Sequence, residues 1–168
     1  MQHRISLYCV PLAWFLAVIP RAYSLRAYKM HTKAQNLDAV LQDPRSFKAV
    51  VAAEKAIPPL IRGRIIIAEN AMLNGAENLG LFAAGVALGN AAGLDVALLS
   101  RLALLYLASR AVYIPVYIRN DTARSVPLRT AGFAVGLVST FALWICSGLK
   151  YNEGNVKTRS CLTTEARD

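Results

Sequence analysis

The sequence is short of the residues from which metal and thiol sites are built. Its 168 residues include two histidines and three cysteines, and no two cysteines form a CxxC pair. Cys9 and Cys146 lie inside apolar runs and Cys161 in a polar stretch, so a zinc or haem site lacks a donor set and no metal is expected. Charge is scarce too: 17% of residues are charged against 55% hydrophobic, and mean hydropathy is +0.37. That composition excludes a disordered chain. Acids are the scarcer sign, ten against nineteen Lys and Arg, for a net charge of +9. A nucleic-acid module would lay such an excess over one exposed face. Here several arginines sit inside or beside apolar runs, so no nucleic-acid partner is expected.

What the sequence does have is long apolar runs, and these make the bilayer the expected solvent. Four spans are expected, at about residues 5–23, 65–90, 96–118 and 128–149, in one all-α membrane domain over residues 1–150. A polar tail follows at 151–168, without periodicity and expected to be loose. The first run resembles a secretory signal in its basic start and small Ala22-Tyr23-Ser24, but Arg21 sits awkwardly for cleavage, which favours an uncleaved span. The first loop, about residues 24–63, and its edge before the second span gather Arg26, Lys29, Lys33, Arg45, Lys48, Lys55, Arg62 and Arg64. The third carries Arg119 and Arg124, whereas the second, Gly93-Leu94-Asp95, has no cation. Positive charge therefore places loops one and three on the cytoplasmic side. The Asn120-Asp121-Thr122 sequon then faces the cytoplasm and is expected to go unused. Within the first loop, Asp43-Pro44-Arg45 reads as a turn, and Ala49 to Ile57 as a short helix stopped by Pro58 and Pro59.

The second span carries polar groups that lipid should forbid: Glu69, Asn70, Asn74, Glu77 and Asn78. Positions 70, 74, 77 and 78 share one helical face, which is expected to look into the bundle. The third span answers with Tyr106, Arg110, Tyr113 and Tyr117, also on one face. At ~1.5 Å per residue, Asn74 lies roughly 15 Å and Glu77 roughly 20 Å from the cytoplasmic end, with Arg110 about 12 Å in. Arg129 opens the fourth span on the same side, while Arg101 lies near the opposite face. Two readings fit. Glu77, Asn74 and Arg110 can form a buried ion-pair network joining helices, or the set can line a wet pocket for a small zwitterion rich in carboxylates.

The stretch Asn74-Gly75-Ala76-Glu77-Asn78-Leu79-Gly80-Leu81-Phe82 resembles the Asn-x-x-Glu-x-x-x-x-Phe signature of the MAPEG family. These are the membrane-associated proteins of eicosanoid and glutathione metabolism. Arg110, Tyr113 and Tyr117 are similar to that family's third helix, and Arg124 to Thr130 to the basic start of its fourth. The texture is closest to fungal-type members. The resemblance implies a four-helix bundle assembling as a homotrimer, with glutathione between subunits and open to the cytoplasm. It implies the endoplasmic reticulum or another intracellular membrane. It further implies that Asn74, Glu77, Arg110, Tyr113, Tyr117 and Thr130 hold glutathione as co-substrate, with Arg129 catalytic beside the sulfur. A guanidinium there would stabilise the thiolate for attack on a lipophilic electrophile or hydroperoxide, the work of a transferase or peroxidase. Gly75, Gly80, Gly85 and Gly89 allow close helix contact.

One departure stands out. Catalytic relatives usually carry an Arg one turn before the Asn, where this chain reads Ile67-Ala68-Glu69-Asn70-Ala71-Met72-Leu73. Arg62 or Arg64 would have to reach in from earlier, and Arg26 is a further candidate from the first helix. The alternative is therefore a non-catalytic lipid- or protein-binding member of the same fold. A small transporter has less support, because Leu79 to Ala92 offers little polarity beyond Asn90.

Overall fold

The structure is a computed structural model and describes residues 5–32, 42–119 and 125–165. Every element among them is helical: α1 (Ile5–His31), α2 (Phe47–Ala53), α3 (Pro59–Ala91), α4 (Val96–Ile118) and α5 (Ser125–Glu165). The all-α class is as expected. Three helical stretches, Ile5–His31, Val96–Ile118 and Val126–Asn155, are long and apolar enough to cross a membrane. The expected second span lies inside α3, which is long enough but diluted by its polar stripe.

Local chemistry sets the boundaries. Pro58 and Pro59 end one segment and begin the next, with Pro59 at the first position of α3, where its missing N–H costs nothing. α3 closes on Gly93, whose φ of +67° is the left-handed conformation that glycine adopts without strain. Around it the Leu94 N–H donates to the Gly89 carbonyl (2.9 Å) and the Gly93 N–H to that of Asn90 (3.4 Å). Asp95 then caps α4, its Oδ2 accepting from the Leu98 N–H at 2.8 Å. The Asp43-Pro44-Arg45 turn forms as expected, with Asp43 Oδ1 accepting from the Arg45 N–H at 3.2 Å. The short helix after it spans 47–53 rather than 49–57, because Phe47 and Val51 anchor it in a small core with Tyr28, Ile57 and Ile65.

Two helices run beyond the expected segments. The helix that holds the first span continues past residue 23 to His31, carrying the buried Ser24 and Tyr28 with it. Its continuation is possible because Arg21 meets a carboxylate, Glu69 Oε2, at 2.6 Å. The Ser24 hydroxyl also donates back to the Pro20 carbonyl at 3.0 Å and lies 3.3 Å from the Ile65 carbonyl of α3. The segment after Lys150 is not loose. No proline follows Pro127, and the Lys150–Glu153 pair (3.3 Å) lies on one helical face, so α5 continues to Glu165.

α1 packs mainly on α3 and also on α4, while α5 packs on α4 and α3. Their shared core is Cys9, Ala13, Phe82, Val86, Leu99, Ala103, Tyr106 and Leu143, with Phe82 and Tyr106 stacked at 3.9 Å between ring centroids. Small residues permit the close crossings. A Cβ on Gly75 would lie 3.0 Å from the Ala17 Cβ, and one on Gly89 would lie 2.7 Å from Leu99 Cδ1 and 3.1 Å from the Ser147 Oγ. Gly80, in contrast, has no neighbour within 4 Å, so it takes no part in a crossing within the chain. Trp14, Phe15, Val138 and Ile145 point outward, the surface that lipid or another chain would cover.

Two predictions follow from these seams. Arg21→Met alone strands the Glu69 carboxylate between α1 and α3 and is expected to cost about 3–5 kcal/mol. Arg21→Met with Glu69→Leu should recover most of it in thermal unfolding of the reconstituted protein; no recovery would show that the pair is not what joins those helices. Gly89→Val overpacks the α3–α4–α5 crossing and should cost about 1–3 kcal/mol, whereas Gly80→Val, with open space around it, should melt close to wild type.

Candidate functional site

Three helices bring their polar faces together at one end of the molecule. On α3, Asn70, Asn74 and Asn78 are half-buried, and the Asn78 amide donates to the Asn74 carbonyl at 2.8 Å. On α4, Tyr106, Arg110 and Tyr113 are buried, and Tyr117 one turn on is half-buried. A single hydrogen bond couples the two stripes: the Asn74 Nδ2 donates to the Tyr113 hydroxyl at 2.9 Å. α5 adds Arg129, whose guanidinium carbon lies 4.9 Å from the centre of the Tyr117 ring. Tyr113 stands 5.1 Å from Tyr117 and 6.0 Å from Phe133, ring centre to ring centre.

The result is an open cavity of about 250 Å³ lined by Asn74, Tyr113, Tyr117, Arg129, Thr130 and Phe133. Five of the residues singled out in the sequence thus face one space, Thr130 with its hydroxyl turned to the Val126 carbonyl at 3.0 Å. Chemically the cavity offers one fixed cation, two phenols, an amide and an aromatic wall. Phe133 was missed. Its spacing of one helical turn from Arg129 was the available signal.

Two residues from the sequence set are placed differently. Glu77 does not look into the bundle: it is exposed, with no hydrogen bond or ion pair among the described residues. Arg110 is only 3% exposed and none of its N–H groups has a hydrogen-bond partner among the described residues. Its guanidinium carbon sits instead among three rings, 4.9 Å from the centre of Tyr106, 5.1 Å from Phe133 and 5.7 Å from Tyr113. Gly136 makes room for it, since a Cβ there would lie 2.9 Å from the Arg110 Nη2. The ion-pair network of Glu77, Asn74 and Arg110, one of the two readings of the sequence, is therefore not formed; aromatic faces take the place of the carboxylate.

A second polar cavity, about 340 Å³, lies between α1, the Pro44 turn, α2 and α3. Its lining is Arg21, Pro44, Arg45, Lys48, Glu69, Met72 and Leu73. Arg21 is held by Glu69 and also lies 4.5 Å from the centre of the Phe47 ring. Lys48 reaches across from α2 to donate to the Asn70 Oδ1 at 3.2 Å. The sequence signal for this cavity was an arginine inside an apolar run, which must find an acid. Of the other candidates for an inward-reaching arginine, the Arg62 Nη2 donates to the Ile57 carbonyl at 3.0 Å, Arg26 is exposed, and Arg64 is half-buried and lines neither cavity. Arg124 and the sequon at 120–122 lie outside the described residues. No group of three His, Cys, Asp or Glu that could hold a metal occurs among the described residues.

No curated protein and no solved structure matches the chain. The MAPEG family model does, over residues 6–149, from the first turn of α1 to Leu149 within α5. That family includes glutathione transferases and peroxidases, and its members use glutathione. With three helices apolar enough to cross a bilayer, the chain is an integral membrane protein. Because the match takes in every element that builds both cavities, the chain belongs to the MAPEG family.

Proposed function

We propose that the protein is a glutathione-dependent membrane transferase or peroxidase that holds the tripeptide's sulfur beside Arg129. The observation that carries the reading is the convergence of Asn74, Tyr113, Tyr117, Arg129 and Thr130 on one cavity. A thiol is a weak nucleophile until it ionises, and a guanidinium fixed nearby favours the thiolate. Stacking of Arg129 on Tyr117 limits the freedom of the guanidinium before substrate arrives, so little reorganisation is needed as charge develops on sulfur. Thr130 adds a second donor once its hydroxyl turns from the Val126 carbonyl. The ionised sulfur can then attack a lipophilic electrophile, forming a C–S bond as the leaving group departs with its electron pair. Attack on a hydroperoxide instead breaks the O–O bond, and a second thiol completes the reduction to alcohol and water. Phe133 and the outward apolar faces give such substrates a route from the bilayer.

In this reading α3 also crosses the membrane, as the second of four spans, and the basic segments before α3 and after α4 face the cytoplasm from an intracellular membrane such as the endoplasmic reticulum. Glu77 supports assembly. A carboxylate facing lipid roughly 20 Å along the span would cost several kcal/mol, so a neighbouring copy or the peptide itself must cover it. We assign that role to the neighbours in a homotrimer, with glutathione at the seam, where Glu77 accepts from its ammonium or amide N–H. The 250 Å³ cavity alone is at the small end for a ligand of this size, as expected of a site that a second surface completes.

The decisive measurement is the ultraviolet absorbance of thiolate when glutathione is added to the full-length protein in nanodiscs. Wild type should show the band, and Arg129→Leu should lose it together with about 100-fold or more of turnover, while keeping its assembly state. A band that survives in the variant removes Arg129 from the chemistry. Absence of binding at millimolar glutathione would favour a non-catalytic lipid- or protein-binding role.

A further inference from the structure

Resting on the glutathione reading above, the geometry points to Lys48, with Arg45 beside it, as the anchor for the free glycine carboxylate of the bound tripeptide. The need for such a group is plain from α3, which has no Lys or Arg between Ile65 and Ala91. Arg129 is the one cation lining the 250 Å³ cavity, and its place is at the sulfur. A ligand with carboxylates at both ends therefore needs a cation from another element.

Lys48 is brought to the right stripe. Its ammonium donates to the Asn70 Oδ1 at 3.2 Å, and Asn70 shares a helical face with Asn74 and Glu77. Along α3 the rise from Asn70 to Asn74 is about 6 Å and to Glu77 about 10 Å. The cysteine-to-glycine arm of an extended tripeptide, about 7 Å for two residues, is long enough to cover the step from Asn74 to Asn70. An ammonium has three donors, and the amide of Asn70 takes one; no carboxylate pairs with Lys48 among the described residues. Arg21, the other cation of the 340 Å³ cavity with a firm partner, is already neutralised by Glu69. The unanswered positive charge of the cavity thus belongs to Lys48 and Arg45.

The two cavities are also neighbours. Leu73 lines one and Asn74 the other, adjacent residues on opposite flanks of one exposed strip of α3. At about 100° per residue, Glu77 falls between them, roughly 40° from Leu73 and roughly 60° from Asn74. A peptide with its sulfur at Arg129 ends its glycine arm at Lys48, while its γ-glutamyl arm reaches the exposed Glu77, which accepts from an N–H. A peptide seated between two copies can use the same three positions, with Lys48 supplied by either. The Lys48 ammonium is a point charge on a flexible stem, and the amide of Asn70 fixes where it stands.

The test compares glutathione with its glycine-amide analogue, using full-length protein in nanodiscs and equilibrium binding. Wild type should prefer the free acid by about 10-fold. Lys48→Gln should lose that preference, binding both as wild type binds the amide, with the thiolate band of bound ligand retained. Lys48→Arg should restore the preference, and Lys55→Gln, an exposed lysine away from both cavities, should leave it unchanged. A preference that persists in Lys48→Gln, or equal binding of both ligands by wild type, overturns the assignment while leaving the Arg129 chemistry intact. Failure of wild type to bind either ligand overturns the glutathione reading and this anchor together.

Discussion

A carboxylate placed between helices has to be answered, and Glu69 sets the terms for the basic end of this chain. Its partner, Arg21, comes from a helix that would otherwise have little reason to continue past its apolar run. With that pair made, α1 extends to His31, Tyr28 reaches the small core of Phe47, Val51, Ile57 and Ile65, and α2 acquires a surface to dock on. The position of Lys48 over Asn70, and hence the shape of the larger cavity, depends on α2 being there. The pair need not add much to stability over an apolar substitute. What it contributes is geometry: it sets α1 and α3 in one register and leaves other registers with a stranded charge.

The same requirement, met by a different means, governs Arg110. Its five N–H donors have no acceptor among the described residues, yet it is almost wholly enclosed. Tyr106, Tyr113 and Phe133 surround it with ring faces, and Gly136 leaves it space. Ring faces stabilise a desolvated cation by about 2 kcal/mol or more, less than a carboxylate would but without adding a negative charge beside the cavity. Because Tyr113 both faces Arg110 and accepts from Asn74, the buried cation fixes the wall of the cavity rather than entering it. Arg110 therefore lies behind the lining of the cavity, where a reading of helical faces alone places it on the lining itself.

Where the sequence was legible, the signal was periodic and the consequence local. Positions 74, 113, 117, 129 and 130 lie on faces that any straight helix would turn toward a common point, and the structure gathers them in one cavity. The Pro44 turn was likewise written in residues whose conformational preferences leave few choices, and the same kind of signal, missed in the sequence, was present in the cap at Asp95 and the Gly93 turn. What periodicity could not give was pairing across the chain. Arg21 and Glu69 are 48 residues apart, and Lys48 and Asn70 are 22 apart. Each is polar for reasons visible in the sequence, but the choice of partner is made by how the helices cross. Nor could periodicity decide which side of α3 is covered, so Glu77 was expected inside and lies outside. The tail shows the opposite error: a polar segment without an apolar stripe can stay helical when nothing ends the helix before it.

Of the four long helices among the described residues, α3 is the one without a stretch apolar enough to stand among the three membrane-crossing candidates, and it packs on every other helix; these two properties explain each other. A helix carrying Glu69, Asn70, Asn74, Glu77 and Asn78 is a poor guest for lipid on its own. Packed against α1, α4 and α5, it passes its polar groups to partners one at a time: Glu69 to Arg21, Asn70 to Lys48, Asn74 to Tyr113, and Asn90 to Ser6 at 3.3 Å near the opposite end. Its glycines let that contact close at Ala17 and Leu99. Only the strip bearing Leu73 and Glu77 is left uncovered, and that strip separates the two cavities. An apolar helix would have been easier to insert but would have offered no such strip. The chain instead places the helix with the polar stripe at the centre of the bundle, so that of Glu69, Asn70, Asn74, Glu77 and Asn78 it is Glu77 that stays exposed, on a strip otherwise lined by Leu73, Leu81 and small residues.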